Sequence, residues 1–274
     1  MVSGNGSGGL DGFETLKVGI DGALVTVRLN RPDRRNALSR TMMAELTRVA
    51  VHLKQCTDLH AVVLTGASTF FSAGADLSER TDPEAAPATL LDRRQAVLAG
   101  PDLCAAWEAL EQITIVAIEG YCIGGAAALA VSCDFRIMGR SATLRLPEVP
   151  LGINMSWHAL PRLVALAGPA RAKRFTIFGD ALNAEDAVTW GLADACVPDG
   201  QAEEEAVRWA WKVTRLPPVP VRMSKEAINA ASAALARATI FMDRDQFLLT
   251  SQSGDFAEGT AAFFERRDPE FTGN

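Results

Sequence analysis

A chain of 274 residues suits one large domain or two modest ones, and 48% hydrophobic with 22% charged residues is ordinary for a soluble globular protein. The formal charge of −6 argues against a nucleic-acid surface, and no apolar run reaches the roughly 18–20 residues that span a bilayer. Cys56, Cys104, Cys122, Cys133 and Cys196, with His52, His60 and His158, are scattered without metal-type spacing. An odd cysteine count in a chain expected to be cytoplasmic reads as reduced, mostly buried thiols, and the dispersed histidines predict no metal.

Residues 1–9, rich in Ser and Gly and lacking the apolar core of a signal peptide, read as part of a disordered tail over 1–11. Leu16 to Ile20, the Asp21-Gly22 pair, and Ala23 to Leu29 predict a β-hairpin. A loop follows from Asn30 to Ala37. Ser39 or Thr41 then caps a helix whose apolar side uses Met42, Leu46, Val49 and Leu53. Ala61 to Gly66 is a β-branched strand that runs into a small-residue turn, Phe70 to Leu77. Residues 79–95, rich in charge, Ala and Pro, predict a mobile loop with a short helix.

A helix from about Pro101 to Gln112 leads into a second buried strand, Ile113 to Ile118, and a second glycine turn, Glu119 to Ala126. Ala126 to Ser132 reads as a small-residue helix, followed by short strands at Phe135 to Met138 and Ala142 to Arg145. Beyond Pro161 the pattern turns helical, with helix starts at Gly168-Pro169 and at Asn183 or Glu185. Leu216 to Pro220 is a break, and 221–274 is helix-rich. Strand–helix units first and helices last predict an α/β fold, with a core over 12–205 and a helical region over 206–274.

The two glycine turns each join a strand to a helix start, which leaves backbone N–H groups pointing outward. Two such groups aimed at one point can hold a carbonyl oxygen that becomes negative during reaction. The same glycines also serve simply as tight-turn residues.

Further motifs surround these turns. They are Leu29-Asn30-Arg31-Pro32 with Asn36-Ala37-Leu38, Leu64-Thr65-Gly66 before Phe71 to Leu77, Gly120 with Gly124-Gly125, Cys133-Asp134, Pro147-Glu148, Leu151-Gly152, and Leu160-Pro161-Arg162-Leu163. In this order and spacing, from about Leu16 to Phe271, the chain resembles the crotonase superfamily, the enoyl-CoA hydratase/isomerase group.

The resemblance implies a spiral of β-β-α turns and a C-terminal helical region that assembles a homotrimer or homohexamer. Phe241, Phe247, Leu248, Phe256, Phe263 and Phe264 read as the apolar contacts of that assembly. The resemblance also implies an acyl-CoA thioester as substrate; coenzyme A is then part of the substrate and no separate cofactor is expected. The amides of Ala75 and Gly125 match the family's oxyanion hole, with Ala73, Asp76, Leu77 and Gly124 beside them on the acyl-CoA path. Arg34, Arg35 and Ala37 match a nucleotide-contacting loop, although the two arginines read equally as solvated charges. Phe263 and Arg266 match positions that reach coenzyme A from a neighbouring subunit.

Family hydratases hold a water between two glutamates. One of these positions is Ala128 here, and the other matches Glu148. Family isomerases that move a double bond use a lone glutamate at the Glu148 position. The resemblance therefore implies proton transfer by Glu148, taking a proton from one carbon and returning it to another. Two alternatives stay open: a hydratase with a relocated second acid such as Asp76, Glu79 or Asp82, and a non-catalytic acyl-CoA-binding relative. Met155 and Trp157 read as shaping the acyl pocket, His158 as packing, and Cys122 and Cys133 as inert buried thiols.

Overall fold

The computed structural model describes residues 9–80, 89–234 and 236–274. The Asp-Gly hairpin forms as expected: β1 (Leu16–Asp21) pairs antiparallel with β2 (Leu24–Leu29). Helix α1 (Arg40–Leu53) follows. Of the two expected caps Ser39 is used, its hydroxyl accepting the Met42 N–H, and the helix buries Met42, Leu46, Val49 and Leu53. Strand β3 (Ala61–Thr65) lies parallel to β2 and is buried at every residue, as a β-branched strand covered on both faces must be.

Thr89 caps α2 (Leu90–Ala96) through a capping box with Asp92. Part of the loop expected at 79–95 falls at 81–88, outside the described residues. Helix α3 (Ala99–Glu108) starts before the expected Pro101 and ends before Gln112. The Gln112 side chain instead donates to the carbonyls of Leu53 and Cys56, tying the chain to the end of α1.

Next come β4 (Ile113–Ile118), β5 (Tyr121–Ile123) and α4 (Gly125–Ser132). The same sequence of elements recurs as β6 (Phe135–Gly139), β7 (Thr143–Arg145) and α5 (Ala159–Phe178). In each unit one strand joins a large sheet, a short strand joins a small one, and a helix returns the chain. The result is the expected spiral of β-β-α turns.

Helix α5 corrects one expectation. It begins at Ala159 rather than at Gly168-Pro169, and that pair is an internal kink where Gly168 has φ 77°. Pro169 cannot donate into the preceding turn, so it restarts the helix rather than initiating it. The short β8 (Leu182–Asn183) leads into α6 (Ala184–Trp190), with Asn183 as cap. Strand β9 (Ala195–Val197) has no counterpart among the expected elements, since three residues carry no usable periodicity. The large sheet runs β1-β2-β3-β4-β6-β9 and the small one β5-β7-β8.

Helix α7 (Ala202–Thr214) lays Ala202, Ala206 and Ala210 against Ala61, Val63, Ile115, Ala117 and Ile137 on one face of the large sheet. The other face, including Val62, Leu64, Val116 and Ile118, packs under α1, α3 and α4. The division expected after residue 205 falls inside α7. Helices α8 (Pro218–Ser232), α9 (Arg237–Ile240), α10 (Asp243–Thr250) and α11 (Gly254–Glu265) complete the chain. Among the described residues no helix is long and apolar enough to cross a membrane.

Candidate active site

Asn36 organises the first glycine turn from a neighbouring loop. It is fully buried; its side-chain amide donates to the Phe71 carbonyl (3.0 Å), and its side-chain oxygen accepts the Arg31 N–H (2.9 Å). Ser72 donates to the Asn36 carbonyl (2.7 Å) and accepts the Gly74 N–H (3.1 Å). Leu38 then brackets the next residue, donating to the Gly74 carbonyl and accepting the Asp76 N–H. Between these two bonds the Ala75 N–H has no acceptor among the described residues.

The second turn is brought alongside by a close backbone approach. A Cβ at Gly74 (φ 88°) would lie 2.5 Å from the Ile123 carbonyl oxygen, so only glycine fits there. Gly124 has φ 57° and ψ −123° and donates its N–H to the Arg145 carbonyl (2.8 Å). Gly125 opens α4, so its N–H has no partner within the helix, and none is present among the described residues. The positive end of the α4 dipole adds to its field.

Glu148 reaches the same place from the far side. It precedes a single 3-10 turn, Val149–Leu151, and its carbonyl accepts the N–H groups of Leu151 and Ile153. Its Oε1 would lie 2.8 Å from a Cβ at Gly124. A cavity of ≈80 Å³ is lined by Ala73, Ala75, Leu77, Gly124, Gly125 and Glu148, together with Met155, Trp157, Phe247, Phe256 and Thr260. Two residues with uncommitted amides and one carboxylate residue thus line a single small space. A carbonyl oxygen held by the amides would carry its neighbouring carbons toward Glu148.

The remaining expected residues divide. Ala128, within α4, is 1% exposed, packs in the core and does not line this cavity. Asp76 faces a neighbouring cavity of ≈720 Å³, where it pairs with Arg31 and accepts both the N–H and the hydroxyl of Ser78. Burial alone would raise the Asp76 carboxyl, but the bonds from Ser78 and Arg31 outweigh it and hold the carboxyl below its ordinary value. Glu79 accepts the Arg40 N–H (2.8 Å) and lines that larger cavity too. Asp82 lies outside the described residues.

Arg34 and Arg35 are exposed and line neither cavity, although the Arg35 carbonyl accepts the Ala73 N–H (3.1 Å) and so braces the first turn. Ala37 is half-buried beside them. Phe263 (58% exposed) and Arg266, at the end of α11, also stay away from the cavity within this chain.

Other C-terminal residues arrive instead. Phe247 and Phe256, which read from sequence as subunit contacts, line both cavities. Asp243, at the start of α10, gives no sequence signal. It is buried, and its carboxylate accepts the His158 N–H (3.2 Å) as well as bonds from Ser156 and the Trp157 amide. Burial pushes the Asp243 carboxyl up in spite of these bonds. His158 faces a separate cavity beside Glu108 and Arg162, and burial lowers its pKa. Cys122 and Cys133 are buried and pair in no disulfide; burial raises both thiols, Cys133 to about 12, as inert thiols require.

Comparison with known proteins identifies the family. The family described as enoyl-CoA hydratase/isomerase matches residues 19–274. The chain is 32% identical to 2,3-dehydroadipyl-CoA hydratase of Escherichia coli, over 91% of this chain and 95% of that protein. It is 30% identical to 1,2-epoxyphenylacetyl-CoA isomerase of the same organism, over 93% and 97% of the two chains. A crystal structure of an enoyl-CoA hydratase/isomerase from Pseudoalteromonas atlantica superposes with a TM-score of 0.85 at 27% identity, covering 94% of this chain and all of that one. The chain belongs to the enoyl-CoA hydratase/isomerase family and is an enzyme of that type.

Proposed function

We propose that this enzyme moves a double bond within an enoyl-CoA thioester by proton transfer through one carboxylate. The thioester oxygen sits between the Ala75 and Gly125 amides. Glu148 removes a proton from Cα of a 3-enoyl thioester. The electron pair of that C–H bond forms the new Cα–Cβ double bond by way of a dienolate, whose charge rests on the thioester oxygen. Glu148 then returns a proton to Cγ. Donors aimed at developing charge typically contribute a few kcal/mol each, and a positioned base about 10²–10⁴-fold.

The observation that carries this reading is that, among the described residues, Glu148 alone of the expected acids lines the cavity shared by the two amides, while Ala128 supplies no second carboxylate. Simple hydration asks for a base on water and an acid at Cα at nearly the same moment. Reuse of one carboxylate in sequence does not.

Coenzyme A follows the loop of Arg34, Arg35 and Ala37 and is completed by Phe263 and Arg266 of a neighbouring copy in a homotrimer or a pair of trimers. Exposed Phe241, Leu249, Phe263 and Phe264 on the C-terminal helices support such an assembly. The test is a panel of 2-enoyl-, 3-enoyl- and aromatic acyl-CoA thioesters incubated in heavy water and read by mass spectrometry. Conversion of 3-enoyl to 2-enoyl thioester is the expected result, with the substrate's own proton carried to Cγ and deuterium entering there only by exchange at Glu148. Conversion of 2-enoyl thioesters alone, to hydroxyacyl products, would contradict it.

A further inference from the structure

Trp157 holds an unusual conformation for a large side chain. Its backbone is left-handed (φ 64°), and so is that of the next residue, His158 (φ 56°). Two consecutive non-glycine residues of this kind persist only where the surroundings hold them. Asp243 does so from α10, its buried carboxylate receiving the amides of both residues and a bond from Ser156. The turn then sends the two side chains into different cavities, Trp157 toward Glu148 and His158 away from it.

The indole is admitted by two missing side chains. A Cβ at Gly125 would lie 2.6 Å from the ring's Cη2, and a Cβ at Gly100 in α3 would overlap Cε2, Cδ2 and Nε1. The ring therefore stands between the start of α4 and α3. It lines both the ≈80 Å³ chamber of Glu148 and the ≈720 Å³ cavity between α2, α3 and α10, a position it shares with Ala75, Phe247 and Phe256. A water-sized group needs ~10–15 Å³ of such space, so the inner chamber accepts only a handful. The outer cavity falls in the range of ~300–1,000 Å³ that holds sizeable ligands.

We infer that Trp157 is the acyl-size selector of this enzyme: it confines the acyl group beyond the thioester to the inner chamber and so favours short acyl chains. The inference rests on the acyl-CoA reading above and deepens it by naming the size class of the substrate. The indole is the largest of the side chains shared by the two cavities, so its removal should open a path between them for long chains.

The test uses binding of saturated thioesters, which undergo no double-bond transfer. Dissociation constants of butyryl-CoA and decanoyl-CoA are measured by calorimetry for the wild type, Trp157→Gly and Trp157→Phe. Glycine tolerates the left-handed backbone, so Trp157→Gly removes the ring without adding strain. The wild type is expected to bind butyryl-CoA at least as tightly as decanoyl-CoA. Trp157→Gly should shift the ratio toward decanoyl-CoA by about tenfold or more, within the range one or a few methylenes command in an apolar pocket. Trp157→Phe should shift it by about threefold, and it decides the matter if the glycine variant does not fold. A ratio unchanged within about twofold in a folded variant would overturn the role of Trp157 and leave the acyl-CoA reading intact. Failure of the wild type to bind either thioester would overturn both.

Discussion

The two glycine turns and the C-terminal helices reach the same cavity by different means. The turns present Ala75 and Gly125 through bonds made within a few residues or by one neighbouring loop: Asn36 to Phe71, Ser72 to Gly74, Leu38 around Ala75. The helices contribute Phe247, Phe256 and Thr260 only through long-range packing, with Asp243 bracing the turn at Trp157 and His158, and they leave Phe241, Leu249, Phe263 and Phe264 facing outward. On the proposed function, the first region carries the chemistry with groups of one chain, while the second shapes the acyl chamber and leaves apolar side chains exposed. Reaction type and substrate range should then respond to separate substitutions.

The largest effect is expected at Glu148, which lines the cavity together with the two turns. Glu148→Gln keeps the shape and removes the base, so turnover should fall by about 10²–10⁴-fold with little change in acyl-CoA affinity. Steady-state kinetics and thioester binding on the same preparation check both halves. Next is Gly124→Ala. It forces a side chain onto a backbone at φ 57° and into Glu148 Oε1. Loss of one well-aimed amide alone costs about 10²–10³-fold in turnover, and displacement of the carboxylate adds to it. A variant with wild-type turnover would show that the turn's geometry is not the source of the chemistry.

Most of the first region is legible in the sequence because its signals are local. Asp21-Gly22 specifies the hairpin, Ser39 or Thr41 and Asn183 or Glu185 mark the helix starts, of which the structure uses Ser39 and Asn183, and the small residues at 73–75 and 124–125 mark the two turns. The start of α5 is hidden because Gly168-Pro169 carries a strong start signal inside a longer helix, whose true beginning follows the turn at Trp157 and His158. Asp243 is invisible for a plainer reason. Its meaning depends on amides 85 residues away, and nothing in its neighbours marks it as buried. Phe256 reads as an interface residue because an apolar position on a helix does not say which surface it meets. The resemblance supplies Glu148, whose local context, Leu146-Pro147-Glu148-Val149, carries no chemical signal of its own.

The C-terminal region yields a smaller, separable effect. Phe264→Asp places a charge on a side chain that is 67% exposed in the single chain. If copies cover it, association should weaken by about 1.5–3 kcal/mol per subunit, seen by light scattering as a shift from trimer or hexamer toward monomer. Activity should fall with the mass if Phe263 and Arg266 complete a neighbour's site. An unchanged mass distribution would place assembly elsewhere.

The smallest effect concerns Asp76, which ties the first turn to Arg31. Asp76→Asn should cost about 1–2 kcal/mol of stability at neutral pH, because it removes a charged acceptor from a largely buried pair. Its folded-state pKa is depressed. The stabilisation is therefore full above the ordinary carboxylate range and disappears as the pH falls through the lower folded value. Denaturation of wild type and variant should accordingly converge in strong acid and diverge near neutrality.

The central claim is that one carboxylate under two amides performs the reaction without a second acid. The most direct measurement sets two activities of the wild-type enzyme side by side, each as kcat/KM: double-bond isomerisation, with hex-3-enoyl-CoA as substrate, and hydration, with crotonyl-CoA as substrate. Both are then repeated for Glu148→Gln. Isomerisation is expected ahead of hydration by about 10²-fold or more, with the faster activity lost in the variant. Hydration at an efficient enzyme's rate, about 10⁴ M⁻¹s⁻¹ or above, or an isomerisation indifferent to Glu148→Gln, would contradict it.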